Sequence, residues 1–139
     1  MLRVGERFPV ERLSVRPKGP AVVYFYPAAL TPGCTMESKR FSDLYDRFRE
    51  AGYEVIGVSV DPAEKNEEFR AECDLAFPLV SDEGAGLTTD IGVLKDYGEY
   101  GWLAARVTFL LDADGVVERV WEVTEAGEHP DEVLAAVTG

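Results

Sequence analysis

Residues 21–37 read AVVYFYPAALTPGCTME and join an apolar segment to the beginning of a helix. The first six of these residues are β-branched or aromatic with one alanine, which is typical of a buried strand. Beyond the stretch, apolar side chains recur at the i, i+3, i+4, i+7 spacing of one helix face, at Phe41, Leu44, Tyr45 and Phe48. The pattern predicts a strand at 21–26, followed by a helix from about 32 to 51 that ends at Gly52.

The beginning of this helix places Cys34 in a position suited to a nucleophile. Thr31 is a suitable N-cap, Pro32 suits the first helical position, and Cys34 then lies in the first turn. There the unpaired N–H groups and the positive end of the helix dipole favour an anion, so we expect a lowered thiol pKa. Since the thiolate is the reactive form of cysteine, this context favours a nucleophile over a small buried apolar residue.

The rest of the chain alternates predicted strands and helices. Strands are predicted at 53–60, 77–80, 106–111 and 116–123, with a hairpin turn at 112–115 between the last two. Helices are predicted at 62–73 and from 129 to 137, with a helical turn at 87–91. Asp61 and Glu64 fit a capping box for the first of these helices. This order predicts an α/β domain with a mixed sheet covered by helices, compatible with a thioredoxin-like fold.

Ahead of the first strand, the chain contains short strand-like pieces at 8–10 and 13–15, before a turn at 17–20. We interpret these pieces as an N-terminal hairpin extension of the domain. The length of 139 residues fits a single domain, 1–139, with a real core.

Composition excludes several classes of function. The net charge of −12 argues against a nucleic-acid partner, because phosphate binding needs basic patches. An apolar segment long enough to cross a membrane is absent from the sequence, as is the apolar core of a signal peptide, so we expect a cytoplasmic protein without a membrane partner. In that compartment a static disulfide between Cys34 and Cys73 is disfavoured, which leaves redox or packing roles for the two cysteines.

The pattern Pro27-x-x-x-Thr31-x-x-Cys34 resembles the active-site signature of the peroxiredoxins, and the fuller string FYP…TPGCT over 25–35 is similar to their bacterioferritin comigratory protein (Q-type) branch. Matching segments also occur at 58–61, 77–82 and 106–112, so the resemblance extends over nearly the whole chain. It implies a thioredoxin fold and thiol-dependent reduction of hydrogen peroxide and organic hydroperoxides. No cofactor is expected, because metal-ligand, haem and flavin motifs are absent from the sequence.

The resemblance also implies a role for each of five residues. Cys34 corresponds to the peroxidatic cysteine, which attacks the O–O bond and becomes a sulfenic acid. Thr31 corresponds to the hydroxyl that hydrogen-bonds thiolate and peroxide, and Pro27 to the residue that shields the sulfur. Arg106 corresponds to the guanidinium that stabilises thiolate and transition state, and Glu37 to the carboxylate that orients this arginine.

Nucleophilic attack of a thiolate on a peroxide requires the same residue types. Attack on an O–O bond builds negative charge on the departing oxygen, and the backbone N–H groups of Gly33 and Cys34 can stabilise it together with Arg106. Structural alternatives stay open for the supporting residues: a helix cap for Thr31, a strand-end proline for Pro27, and a surface charge for Arg106 or Glu37.

The partner thiol of Cys34 is less defined by the sequence. Many Q-type members carry a resolving cysteine five residues after the peroxidatic one, where this chain has Lys39. Cys73 is the remaining internal candidate; it lies four residues after Phe69 on the apolar face of its predicted helix, so an inert core cysteine is the alternative. A disulfide between Cys34 and Cys73 would be reduced by a thioredoxin-like donor.

Two other functions remain open at this stage. Without a resolving role for Cys73, the protein is a one-cysteine peroxidase whose sulfenic acid meets an external small thiol or protein thiol. A peroxide sensor that relays oxidation to a partner protein needs the same reactive thiolate. A thioredoxin-like disulfide reductase is disfavoured, because the chain has no Cys-x-x-Cys. We expect a monomer or a weak homodimer.

Overall fold

The centre of the computed structural model, which describes residues 1–138, is a five-stranded mixed sheet with strand order β3-β2-β1-β6-β7. The strands of the described residues are β1 (Ala21–Phe25), β2 (Glu54–Ser59), β3 (Leu79–Ser81), β4 (Leu94–Asp96), β5 (Trp102–Ala104), β6 (Val107–Leu111) and β7 (Val117–Glu122). Their helices are α1 (Pro32–Asp43), α2 (Tyr45–Glu50), α3 (Ala63–Glu72), α4 (Gly86–Asp90) and α5 (His129–Thr138).

β1 is the central strand, and its register positions the functional site. It pairs in parallel with β2 and antiparallel with β6, with Phe25 opposite Val107. Tyr26 follows β1 and Arg106 precedes β6, so both residues lie just beyond the last pair of this register. The loop 26–31 and the residue just before β6 thus meet at the same edge of the sheet.

Both faces of β1 are covered, which explains why its sequence is apolar throughout. Val23 and Phe25 belong to a cluster that also contains residues of the N-terminal segment and α4. Val22 and Tyr24 belong to a second cluster, to which α1, α2, α3 and α5 all contribute. Four helices therefore pack on one face of the sheet, and the N-terminal segment and α4 pack on the other.

The predicted helix at 32–51 is two helices in the structure. α1 ends at Asp43 and α2 begins at Tyr45, with Leu44 between them at φ −95° and ψ 1°. The predicted apolar face nevertheless packs inward on both sides of the break, since the rings of Phe41 and Phe48 lie 5.8 Å apart in the second cluster. Helical periodicity thus located the buried face but not the interruption.

The predicted strands at 8–10 and 13–15 are wrong, and with them the N-terminal hairpin extension. Val10–Arg12 form a 3-10 helix, and the segment joins the sheet through a single bridge between Arg7 and Val116. Pro9 has no N–H for a ladder, which disfavours a strand here. Phe8 and Leu13 are nevertheless buried, so the apolar pattern indicated burial and not strand structure.

Two further elements differ from the prediction. α3 begins at Ala63 with Pro62 as its N-cap, so the predicted Asp61–Glu64 capping box is not formed. The antiparallel pair β4–β5 has no counterpart in the prediction, because three-residue strands carry too little periodicity to be recognised.

The strands predicted at 53–60, 106–111 and 116–123, the helical turn at 87–91 and the C-terminal helix are confirmed with shifted ends. Within residues 1–138, none of the helices has the length and apolarity that a membrane crossing needs.

Gly57 offers a test of the packing between β2 and its neighbours. A Cβ at this position would lie 2.8 Å from Cζ of Tyr24 and 2.6 Å from Cδ2 of Leu79. The Tyr24 ring cannot retreat freely, because it stacks on Phe41 and its hydroxyl hydrogen-bonds Ser38. We expect Gly57→Ala to lower the free energy of unfolding by about 1–3 kcal/mol in urea denaturation.

Gly19→Ala is the matched control, because no atom lies within 4 Å of a Cβ built there. It should leave the free energy of unfolding within about 0.5 kcal/mol of the wild-type value. Equal stability of the two variants would contradict the close packing at Gly57.

Candidate active site

The helix beginning predicted around Cys34 is confirmed. Thr31 occupies the N-cap position with extended backbone, Pro32 is the first residue of α1, and Cys34 is the third. The first hydrogen bond of the helix runs from Thr35 N–H to Thr31 C=O at 2.9 Å, so the N–H groups of Gly33 and Cys34 precede the ladder. These two amides are placed to stabilise negative charge beside the sulfur.

The Thr31 side chain does not cap α1. Its hydroxyl donates to the carbonyl oxygen of Ala28 at 2.7 Å, within the loop 26–31. The N-cap position was therefore predicted correctly, but the capping hydrogen bond was not. Because this hydroxyl does not compete for the first amides of the helix, those amides keep their donors for a ligand.

Arg106 connects Cys34 and Glu37. Its Nη2 lies 3.4 Å from Cys34 Sγ, and its Nη1 donates to Glu37 Oε1 at 2.8 Å. Glu37 lies three residues after Cys34 in α1, so one helical turn presents both side chains to the guanidinium. The structure brings together three residues that the sequence separates by up to 72 positions.

Burial sets the electrostatics of this group. Cys34 and the Glu37 side chain have no exposed surface, and the Arg106 side chain is 18% exposed. Burial raises the pKa of Glu37 to about 7, even though Arg106 acts to lower it. For Arg106, burial acts to lower the pKa, but the charges and hydrogen bonds of Glu37 and Cys34 raise it overall. A permanent positive charge therefore lies against the sulfur.

Gly33 permits this approach of the arginine. A Cβ at residue 33 would lie 3.1 Å from Arg106 Nη2, closer than most such contacts in proteins. From the sequence, Gly33 was expected to supply a backbone donor, and this steric role was not predicted. Only the position of Arg106 in three dimensions reveals it.

Arg106 also lines a surface cavity of about 500 Å³, together with Pro27. Lys95 and Tyr97 of the β4–β5 pair line the same cavity, with the Lys95 ammonium 5.2 Å from the centre of the Tyr97 ring. The Tyr97 hydroxyl donates to Ala104 C=O at 3.2 Å, and burial raises its pKa. Neither residue was predicted as a site residue from the sequence, because the hairpin that carries them was not predicted either.

Cys73 lies apart from this group. It is the C-cap residue of α3, partly buried, and it packs against the same apolar cluster that contains Cys34. Both cysteines are free thiols in this structure. Among the described residues 1–138, no three His, Cys, Asp or Glu side chains are grouped as metal ligands.

Comparison with known proteins identifies the family. Residues 6–120 match the AhpC/TSA family. The chain belongs to the AhpC/TSA family. Peroxiredoxin Q from Sedum lineare, a chloroplastic protein, is 43% identical over 116 residues, which are 83% of this chain and 61% of that protein. Peroxiredoxin Bcp from Xanthomonas campestris is 40% identical over 119 residues, 84% of this chain and 74% of that protein.

Solved structures agree with this assignment to the family. The bacterioferritin comigratory protein of Xanthomonas campestris is 38% identical and superposes with a TM-score of 0.80, covering 87% of this chain and 79% of that one. The predicted thioredoxin-like fold and the resemblance to the Q-type branch are thereby confirmed. The chain spans about half of several plant relatives, for example 46% of peroxiredoxin Q from Oryza sativa subsp. japonica.

The raised pKa of Glu37 predicts a pH-dependent stability. Native Glu37 stays protonated up to about pH 7, whereas an unfolded glutamate ionises near 4.5, so the native state binds more protons between these values. The contribution is fully present below about pH 4.5 and is lost as pH rises through about 7. We expect the stability of the wild type to fall relative to Glu37→Gln by on the order of 3 kcal/mol across this window.

Urea denaturation at intervals from pH 4.5 to 8 measures this difference. Glu68→Gln, at an exposed position of α3, is the control and should follow the wild-type profile. Parallel pH profiles for wild type and Glu37→Gln would show that Glu37 does not carry the shift.

Proposed function

We propose that this protein is a thiol-dependent peroxidase in which Cys34 reduces hydrogen peroxide and organic hydroperoxides. The observation that carries the proposal is the Arg106 guanidinium, held by Glu37 and 3.4 Å from the buried sulfur. A fixed cation and two helix N-terminal amides around one thiol suit a reaction in which an anion attacks and another departs. The related Xanthomonas campestris protein has alkyl peroxide reduction activity, which supports the same chemistry here.

In the proposed reaction, the Cys34 thiolate attacks the terminal oxygen of the hydroperoxide. The S–O bond forms as the O–O bond breaks, giving Cys34 sulfenic acid and an alkoxide or hydroxide, which takes a proton from solvent. Arg106 and the amides of Gly33 and Cys34 stabilise the charge that develops on the departing oxygen. The fork of a guanidinium can contact sulfur and substrate oxygen at once, which a lysine cannot reproduce.

Thr31 and Pro27 have supporting roles in this proposal. Since the Thr31 hydroxyl donates its hydrogen bond to Ala28 C=O, its lone pairs remain free to accept a hydrogen bond from the O–H of the hydroperoxide. Pro27 lines the cavity beside Arg106 and limits the water that reaches the sulfur. Cys34 has no exposed surface and does not line this cavity, so in this proposal the substrate approaches the sulfur past Arg106, which does line it.

Cys73 is the proposed resolving cysteine. Its thiol attacks the sulfenic acid, forming the Cys34–Cys73 disulfide and releasing water. The bond needs the two Cα atoms within about 7 Å, so the first turn of α1 and the end of α3 would unwind. The C-cap position of Cys73 supports this step, because helix ends open more readily than helix centres. A thioredoxin-like protein then reduces the disulfide by exchange.

The setting of the reaction is also part of the proposal. We assign the chemistry to one domain over 1–139, acting as a monomer or weak homodimer in the cytoplasm. A reducing compartment suits the mechanism, because it returns Cys34 to the thiol after each cycle. A peroxide sensor that oxidises a partner protein is the second candidate, since it would use the same Arg106–Cys34 contact.

Substitution of Arg106 tests the proposed role of its guanidinium. We expect Arg106→Lys to lower the second-order rate constant of peroxide consumption by about 10²–10³-fold, because lysine loses the fork that joins sulfur and carboxylate. Cys34→Ser should abolish consumption, and Arg119→Lys, an exposed arginine on β7, should leave the rate unchanged. Turnover by Cys34→Ser would refute the assignment of the nucleophile.

Mass spectrometry after one equivalent of peroxide tests Cys73. We expect the wild type to lose two hydrogens, as an internal disulfide requires, and Cys73→Ser to gain one oxygen at Cys34 at an unchanged first-oxidation rate. Cys73→Ser should then be poorly recycled by a thioredoxin system. A wild type that keeps one added oxygen would exclude Cys73 as the resolving cysteine, and consumption without turnover would favour the sensor.

A further inference from the structure

Asp61 holds the loop that leads to Cys34. Its carboxylate Oδ2 accepts the N–H of Ala29 at 2.8 Å and the hydroxyl proton of Ser59 at 2.7 Å. Asp61 is 9% exposed and Ala29 is 2% exposed, so solvent has little access to this contact. Ala29 lies in the middle of the loop 26–31, between the end of β1 and the N-cap of α1.

We propose that Asp61 is a positioning residue for the peroxidase reaction, acting through its hydrogen bond to the Ala29 amide. The inference rests on the proposed function. It assigns to this buried carboxylate the task of fixing the backbone that carries Pro27 and Thr31 and that leads into the first turn of α1.

The backbone after Ala29 needs an external restraint. Leu30 has φ +64°, a left-handed conformation that costs a non-glycine residue roughly 1–2 kcal/mol. Such a conformation persists only where the surroundings hold it in place. The Ala29–Asp61 hydrogen bond is directly adjacent to this residue and is therefore suited to hold it.

The same region anchors the beginning of the loop. Tyr26 N–H donates to Val58 C=O at 3.0 Å, and the Tyr26 hydroxyl donates to Asn66 Oδ1 in α3. With Ala29 on Asp61, residues 26 and 29 of the loop are both tied to the part of the chain that runs from the end of β2 into α3. Because the chain is held at residues 26 and 29, the left-handed conformation of Leu30 determines where Thr31 lies and where α1 begins.

Loss of the Asp61 contact would change the surroundings of the Cys34 sulfur through the turn at Leu30. If Leu30 relaxes to negative φ, Thr31 and the amides of Gly33 and Cys34 shift relative to Arg106, whose backbone is held outside α1 by the hydrogen bond from Val123 N–H to its C=O at 2.9 Å. Displacements of about 1 Å in a reacting group lower rates by as much as 10²-fold. The predicted effect is therefore on the chemistry, beyond any loss of stability.

The hydrogen bond, rather than the charge, carries the proposed role. The other carboxylate oxygen, Oδ1, faces Lys65 Nζ at 3.7 Å, and that lysine side chain is 46% exposed, so the ion pair is weak. An asparagine at 61 loses the ion pair but can still accept the Ala29 N–H through its amide oxygen. Asp61→Asn is thus the conservative variant, and Asp61→Ala removes the acceptor.

Asp82 provides a matched control. Its carboxylate also accepts two backbone amides, from Leu87 at 3.2 Å and Thr88 at 2.7 Å, at the beginning of α4. α4 packs with the cluster on the opposite face of the sheet from Cys34. Asp82→Ala therefore removes two carboxylate–amide hydrogen bonds without removing a contact of the loop 26–31.

The experiment measures two quantities in each full-length variant: the rate constant of Cys34 oxidation by hydrogen peroxide and the exchange rate of the Ala29 amide. We expect Asp61→Ala to oxidise 10–100-fold more slowly with Ala29 exchanging at least 10-fold faster. Asp61→Asn should lie within about threefold of wild type in both, and Asp82→Ala should oxidise normally. If Asp61→Ala does not fold, Asp61→Ser takes its place in the same comparison.

Three results would overturn the proposal: normal oxidation by Asp61→Ala, unchanged protection of Ala29 in that variant, or an Asp61→Asn variant as slow as Asp61→Ala. Slow oxidation by Asp82→Ala would likewise assign the effect to stability. A wild type that does not consume peroxide would instead refute the proposed function, so the two failures are distinguished by the wild-type rate.

Discussion

The contact between Arg106 and Cys34 is the constraint on which the other features of the site depend. It requires β6 to lie beside β1, so that residue 106 meets the loop 26–31. It requires Glu37 one helical turn after the cysteine to hold the other arm of the guanidinium. It also favours a glycine at 33, because a Cβ there would lie only 3.1 Å from Nη2 of the arginine. The sheet register, the helix phase and the absence of a Cβ at residue 33 therefore all contribute to where the Arg106 side chain lies.

This arrangement lowers the stability of the folded protein locally. Glu37 is fully buried, its Oε2 has no hydrogen-bond partner within residues 1–138, and burial raises its pKa to about 7. A residue chosen for stability alone would not leave a carboxylate oxygen unsatisfied in the core. The apolar clusters on both faces of β1 offset this loss, which is the usual relation between a functional site and the fold that carries it.

Prediction from the sequence succeeded where the signals are local and failed where they are not. β1 and the beginning of α1 follow from an apolar run and from Thr31 and Pro32, which act within a few residues. The N-terminal strands were wrong because the same apolar pattern can be buried without a ladder. The β4–β5 pair was missed because its strands are three residues long, and Lys95 and Tyr97 were missed with it.

The sequence by itself determined that Cys34 lies in the first turn of a helix after a buried strand, because capping and periodicity are properties of neighbouring residues. Through family resemblance it also named Arg106 and Glu37. Only the tertiary structure decided that Arg106 reaches the sulfur across 72 positions and that Asp61, which the sequence suggested as a helix cap, binds the Ala29 amide instead. These contacts depend on how strands pair and helices pack, and such long-range geometry is not encoded in any short segment.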